Sequence, residues 1–175
     1  MKDEIRYKLK VKRKYFQGVR REVADKNILY NFIAGYGAFQ SYFVYNSFGS
    51  EASTALIINY LLATGKAVYL PRVEGENIVP VPYGETKKGT FGVFEPVGRA
   101  YSGDIDVTVV PLLAVNERGF RIGYGKGYYD GFLKNRKTLR VGLGYSLQIE
   151  EFQEDIWDEP LDEFLTEKGI YDFGK

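Results

Sequence analysis

Residues 121–130 read Arg-Ile-Gly-Tyr-Gly-Lys-Gly-Tyr-Tyr-Asp and concentrate the residue types best suited to chemistry. Gly123, Gly125 and Gly127 alternate with Tyr124 and Lys126. Glycines permit tight turns and close approach by a ligand, and successive free amides in such a loop can cradle an anion. Arg121 and Lys126 add positive charge, and Asp130 ends the run with a carboxylate. Phosphate groups with a magnesium ion would satisfy all of these groups together. The spacing matches neither common nucleotide fingerprint: it is one residue short of the dinucleotide pattern, and Gly127 stands where a P-loop carries Ser or Thr. The glycines alone would suit a surface turn equally well; the basic, aromatic and acidic neighbours favour a binding loop.

Composition narrows the chemistry further. The 175 residues contain no cysteine and no histidine. Disulfides, thiol nucleophiles, imidazole bases and the usual zinc sites are thereby excluded. Carboxylates, Lys, Arg, Tyr and backbone amides remain, a set suited to phosphoryl transfer, where positioning and charge neutralisation dominate. A hard, oxygen-ligated metal, magnesium first, is expected. The length favours one domain, residues 1–175. With no apolar run of membrane-spanning length and no signal-type segment, a cytoplasmic location is expected, with no membrane partner.

Net charge is +1 but unevenly spread. Residues 1–26 hold ten Lys or Arg against four Asp or Glu, and residues 150–175 hold ten Asp or Glu against two Lys. The basic segment could meet a nucleic acid, supply charge to a nucleotide site, or be a solvated helix face pairing with the acidic end.

The elements that must position the loop follow from periodicity. A first helix is expected over 2–16, with Ile5, Leu9, Lys12 and Phe16 as a broken stripe. A second spans 20–34, with Val23, Ile28, Leu29, Phe32 and Ile33 facing inward. Phe39–Tyr45 reads as a buried strand, Asn46–Ser50 as a turn, Glu51–Ala63 as a helix, and Ala67–Leu70 as a strand stopped by Pro71. This is a parallel crossover, with its polar loop at the strand's carboxyl end, where open α/β sheets bind ligands. Short strands and loops fill 77–100. Val107–Val110 is the cleanest central strand, Gly127–Asn135 a short helix, Leu139–Tyr145 a further strand, and Phe164–Phe173 a closing hairpin.

The glycine loop ending in Tyr-Tyr-Asp resembles that of the 5-formyltetrahydrofolate cyclo-ligases, also called methenyltetrahydrofolate synthetases. The resemblance runs almost end to end. It includes Lys2 and Arg6, Tyr45 to Thr54, Leu70-Pro71-Arg72-Val73, Gly92 to Pro96, Gly142 to Gln148, and Asp158 with Leu161-Asp162. It implies an α/β three-layer sandwich with a mostly parallel central sheet. The implied activity is ATP-dependent closure of 5-formyltetrahydrofolate to 5,10-methenyltetrahydrofolate, releasing ADP and phosphate through a phosphorylated formyl intermediate.

Carried over residue by residue, the resemblance implies that ATP meets Lys2, Arg6 and Arg121, Ile122, Gly123, Tyr124, Gly125, Lys126, Gly127, Tyr128 and Tyr129. Lys126, Tyr129 and Arg121 would serve catalysis. Tyr45, Glu51, Arg72, Tyr124, Lys126 and Tyr128 would meet the folate, though a structural salt bridge suits Arg72 nearly as well. Asp130 and Asp158 would hold Mg2+. A monomer with no nucleic-acid partner is expected. Positions that depart from the family pattern include Ile5 for leucine, Leu112 for glycine, Asn116 for aspartate and Trp157 for histidine, and the segment near Ile78 lacks the family's methionine. Two other readings stay open at this point: an ATP-dependent kinase or ligase for another small substrate, and an RNA-binding module using the basic N-terminus.

Overall fold

The computed structural model describes residues 1–174; Lys175, the last residue of the expected domain, lies outside the described residues. Two helices open the chain, α1 (Lys2–Tyr15) and α2 (Val19–Tyr36). A crossover follows: β1 (Ser41–Val44), α3 (Ala55–Ala63) and β2 (Ala67–Glu74). β3 (Asn77–Pro82) returns beside β2, and β4 (Thr86–Lys88) and β5 (Phe94–Pro96) form a small ribbon. Then come β6 (Val107–Pro111), β7 (Ala114–Val115), β8 (Arg121–Ile122), α4 (Tyr128–Leu133) and β9 (Leu139–Leu143). A hairpin of β10 (Glu163–Thr166) and β11 (Gly169–Asp172) ends the described chain.

The main sheet has seven strands in the order β11-β10-β9-β6-β1-β2-β3. The five inner strands are parallel, and each edge strand is antiparallel to its neighbour. This is the expected mostly parallel three-layer α/β architecture. Period-two alternation builds the two faces. Tyr42, Val44, Val107, Val109, Val141 and Leu143 point to the α2–α3 side, while Phe43 and Val110 point to the side of α4. Four of the first six are β-branched, which suits a strand buried on both faces.

The helices bury narrower stripes than the sequence suggests. In α1 the buried row is Ile5, Leu9 and Arg13, spaced by four; Lys12 is exposed. In α2 it is Ala24, Ile28, Phe32 and Tyr36, and Val23 faces solvent. α3 begins at Ala55 rather than Glu51, because Thr54 turns inward as its N-cap residue and donates its hydroxyl to Tyr45 O at 2.7 Å. Residues 45–54 are thereby left as a loop over the end of β1.

Pro71 does not end β2. Beyond Tyr69 the strand no longer pairs with β1, and Pro71 stands opposite Pro80 of β3. Neither ring has an N–H to lose there, so the ladder continues to Glu74. Two departures from the family pattern also find their place. Leu112 is buried over Gly142, where an added Cβ would lie 2.8 Å from it. Asn116 is buried and closes a turn, accepting from the amides of Arg118 and Phe120, each at 3.0 Å.

The strand order places β2 on one side of β1 and β6 on the other. The carboxyl ends of β1 and β6 therefore diverge into loops of opposite direction, the position where open α/β sheets form a ligand crevice. α1 closes one end, packing Ile5 and Leu9 against Ala114, Ile122 and Phe152.

Candidate active site

A cleft of about 770 Å³ opens at this crevice. It is lined by Lys2, Arg6, Tyr45, Glu51, every residue from Arg121 to Asp130, and Asp158. Segments 120 residues apart in sequence thus share one cavity. Arg72, the remaining candidate, is not part of this lining. Its guanidinium instead donates to Glu74 at 2.7 Å and to the carbonyls of Pro96 and Gly98 at 3.4 and 2.5 Å. It ties β5 to β2, the structural use that the Leu-Pro-Arg-Val segment left open.

The glycine loop follows the β7–β8 hairpin, which delivers it from the core to the cleft. Gly125 and Gly127 have φ of 97° and 70°, in the left-handed region where glycine is favoured. Gly127 then stands as the N-cap residue of α4, so Tyr128, Tyr129 and Asp130 occupy its first turn. Arg6 holds the loop from outside, its Nε donating to Gly123 O at 2.9 Å.

Arg121 is the most constrained cation of the site. It is 8% exposed, its Nη2 lies 3.4 Å from Asp130 Oδ1, and its guanidinium lies 5.7 Å from the Tyr129 ring centre. Its Nε is buried without a hydrogen-bond partner among the described residues. Burial pulls its pKa below the usual guanidinium value, against the opposing charge of Asp130. A buried donor left unpaired is unfavourable unless a ligand completes it. In a cleft wall beside a glycine loop, an anion is the kind of partner that a guanidinium and free amides suit.

The opposite wall carries the carboxylate. Glu51 Oε2 accepts the Phe48 amide at 2.9 Å. Burial raises the Glu51 pKa, while that amide, the Tyr124 hydroxyl and the Arg13 charge oppose the rise. Burial likewise pushes the Tyr45 and Tyr129 hydroxyls well up, so both stay protonated donors at neutral pH. Tyr129 stacks on Phe43 of β1 with ring centres 6.3 Å apart, which fixes its place in the wall.

Asp130 and Asp158 both face this cleft. Asp130 uses one oxygen, Oδ1, for Arg121 and for the Glu159 amide at 3.1 Å. Asp158 uses Oδ2 for Lys2 at 2.9 Å and for the Asp155 amide at 2.8 Å. The other oxygen of each takes no part in these contacts. Among the described residues no group of three or more His, Cys, Asp or Glu side chains could enclose a metal. Magnesium can take one or two protein carboxylates and complete its shell with water and phosphate oxygens. Lys2 bonds Asp155 and Asp158 together; burial lowers its pKa, but these two partners outweigh that and raise it.

Several lining residues were not given a site role from sequence. Phe48, Phe94 and Trp157 are exposed aromatics on the cleft. Glu95 is buried and accepts the Val73 and Thr90 amides at 2.7 and 3.3 Å. Behind the lining, Arg13 of α1 is buried and reaches Tyr124. Its only sequence signal was its four-residue spacing from Leu9 and Ile5.

Fold and cleft together define an α/β protein whose switch-point crevice joins a glycine-rich loop carrying Arg121 and Lys126 to acidic and aromatic side chains. The profile of the 5-formyltetrahydrofolate cyclo-ligase family matches residues 1–167, and the chain belongs to this family. It is 31% identical over 137 residues to the 5-formyltetrahydrofolate cyclo-ligase of Haemophilus influenzae, covering 70% of this chain and 73% of that protein. A shorter match to the Mycoplasma genitalium enzyme of the same name is 49% identical over 61 residues, spanning 34% of this chain and 37% of that protein. The solved 5,10-methenyltetrahydrofolate synthetase of Aquifex aeolicus superposes with a TM-score of 0.87 at 30% identity, covering 99% of this chain and 93% of the other. The family's reaction is the conversion of 5-formyltetrahydrofolate to 5,10-methenyltetrahydrofolate. Among the described residues no helix is long and apolar enough to cross a membrane.

Proposed function

We propose that this chain acts as one catalytic domain that closes 5-formyltetrahydrofolate to 5,10-methenyltetrahydrofolate at the cost of ATP. Support comes above all from Arg121, a buried cation in the cleft wall whose Nε has no hydrogen-bond partner among the described residues. A site built only for a neutral substrate would leave that group unfavourably buried.

The formyl carbon of the substrate is a poor electrophile, and oxide is a poor leaving group. The formyl oxygen attacks the γ-phosphorus, the bond to the ADP oxygen breaks, and a phosphorylated formyl group forms. The neighbouring amine nitrogen attacks the same carbon and loses its proton, and the carbon–oxygen bond breaks to release phosphate. Neither step requires a protein nucleophile, in keeping with the absence of Cys and His. The protein's part is positioning and charge stabilisation.

In this reading Arg121, Lys126 and the amides of Gly123, Gly125 and Gly127 bind the phosphates, while Lys2, Arg6, Ile122, Tyr124 and Tyr128 complete the nucleotide side. Glu51, Tyr45, Tyr124, Tyr128 and Lys126 bind the folate, and the protonated Tyr129 donates near the reacting oxygens. Arg72 is left out, since its hydrogen bonds go to β2 and the β5 strap. Magnesium would be held by Asp130 and Asp158 and would neutralise phosphate charge. Pure protein mixed with 5-formyltetrahydrofolate, ATP and magnesium should generate the absorbance of the methenyl product. The same rate without ATP would refute the reaction.

A further inference from the structure

Arg13 looks, in sequence, like one more charge in a run of lysines, yet it is 4% exposed and bonded to three separate segments, one of which lines the cleft. Its Nε donates to Ser50 Oγ at 3.1 Å, its Nη1 to Leu112 O at 3.2 Å, and its Nη2 to the Tyr124 hydroxyl at 2.8 Å. Ser50 lies in the loop that carries Glu51, Leu112 follows β6, and Tyr124 belongs to the glycine loop. The guanidinium also lies 5.9 Å from the Tyr124 ring centre. Tyr124 and Glu51 line the same cleft, and Tyr124 opposes the burial that raises the Glu51 pKa.

A phenol has one proton and accepts through its oxygen. Arg13 can only donate, so it occupies the accepting side of the Tyr124 oxygen. That leaves the phenolic proton available to the Glu51 carboxylate, which lines the same cleft. We propose that Arg13 is a positioning residue of the folate site: through Tyr124 it fixes Glu51 as an anionic acceptor for N–H groups of the substrate, and it ties the glycine loop to the Glu51 loop. This rests on the reading of the cleft as a folate site.

The groups that face Glu51 agree with this arrangement. They are Arg13 from α1, Tyr45 at the end of β1, Tyr124 from the glycine loop and Tyr129 from α4; Arg21 of α2 bonds its backbone carbonyl at 2.9 Å. Burial favours the protonated form of Glu51, and Arg13 and Tyr124 oppose it. Binding that needs the anion is therefore lost as pH falls through the raised pKa. Removing either opposing group lifts that pKa further and moves the acid limb to higher pH.

The test is calorimetric binding of 5-formyltetrahydrofolate across pH to the full chain and to Arg13→Met, Arg13→Lys, Tyr124→Phe and Glu51→Gln. Arg13→Met should weaken folate binding at neutral pH by about tenfold, the effect of one hydrogen bond to a charged group. Its acid limb should move to higher pH, and ATP binding should weaken less. Arg13→Lys should restore part of the loss. Glu51→Gln should remove the acid limb, and adding Arg13→Met to it should cause little further loss. If Arg13→Met fails to fold by circular dichroism, Tyr124→Phe decides, since it cuts the same link without removing the buried charge. A folded Arg13→Met or Tyr124→Phe protein with the wild-type acid limb overturns the proposal. Failure of the wild type to form methenyl product would sink the proposed reaction while leaving this binding comparison decisive. A wild type that binds no 5-formyltetrahydrofolate at any pH overturns both.

Discussion

Gly123→Ala provides a sharp test of how Arg121 is held. A Cβ built on Gly123 would lie 2.6 Å from Arg121 Nη1, and relaxing that contact to 3.4 Å moves the guanidinium by about 0.8 Å. Arg121 has little room to absorb this, being 8% exposed, with Tyr129 and Asp130 beside it. The charge remains, but its place changes. A misplacement near 1 Å at a reacting centre can reduce rate by about 100-fold. A kcat loss of roughly 10- to 100-fold is expected, about 1.4–2.7 kcal/mol of barrier. The fold should tolerate the change, because alanine restricts the unfolded chain and the residue that must yield is the end of a flexible side chain. Tm should stay within roughly 4 °C of wild type, the shift made by about 1 kcal/mol in a domain of this size. Steady-state formation of methenyl product at saturating ATP and folate reads kcat directly. Arg121→Met should also be slow, and combining the two changes should add little, since both act on one group. A folded Gly123→Ala protein with kcat within about twofold of wild type would refute the claim that Arg121 acts at the reacting atoms.

Three further outcomes can be checked with the same assay. Lys126→Ala should lose roughly 2–4 kcal/mol of transition-state stabilisation, seen mainly in kcat; near wild-type kcat would remove Lys126 from the phosphate site. Lys2→Ala and Arg6→Ala should each raise the KM for ATP more than that for folate. These point changes are better tests than removal of residues 1–6, which would also delete buried Ile5 and destabilise the fold; an unchanged ATP KM in both would return α1 to a purely structural role. Asp130→Asn and Asp158→Asn should each shift the magnesium titration at fixed ATP to higher concentration, and the double variant should lose less than the sum; wild-type metal dependence in either single variant would break the shared site.

Much of the fold was legible because its signals are local. Val107–Val110 is an uncharged β-branched run, and the structure uses it at the centre of the sheet. The β1–α3–β2 crossover followed from a strand, a helix and a strand in order. Where the local rule was incomplete, the expectation slipped. Pro71 reads as a terminator only if its N–H would have been used, and at the end of β1 it would not. Glu51 reads as a helix start until Thr54, at the N-cap position three residues later, is seen to turn its hydroxyl to Tyr45 O. The antiparallel edge at β3 was also hidden, since the tight β2–β3 turn with Gly75 at a φ of 63° lies beyond the expected end of β2, whereas the closing β10–β11 hairpin was expected.

The site divides along the same line. Residues 121–130 announce themselves because glycine, lysine, tyrosine and aspartate stand side by side, and the structure brings all ten to one cleft. Arg72 and Arg13 reverse what their neighbourhoods suggest. Arg72 sits in a recognisable segment, yet its guanidinium is engaged in holding β5 on β2. Arg13 sits in an undistinguished basic run, yet it lies beneath the cleft, bonded to both of its loops. Composition cannot separate one arginine from another, because the guanidinium suits an anion, a carbonyl and a phenol equally. Helical phase can. Ile5 and Leu9 are buried, and a residue four places on must be buried with them unless the helix ends. A cation at that phase must find acceptors inside, and Arg13 finds them in Ser50, Leu112 and the cleft-lining Tyr124. The spacing that looked like a flaw in an amphipathic stripe is therefore what ties α1 to the chemistry.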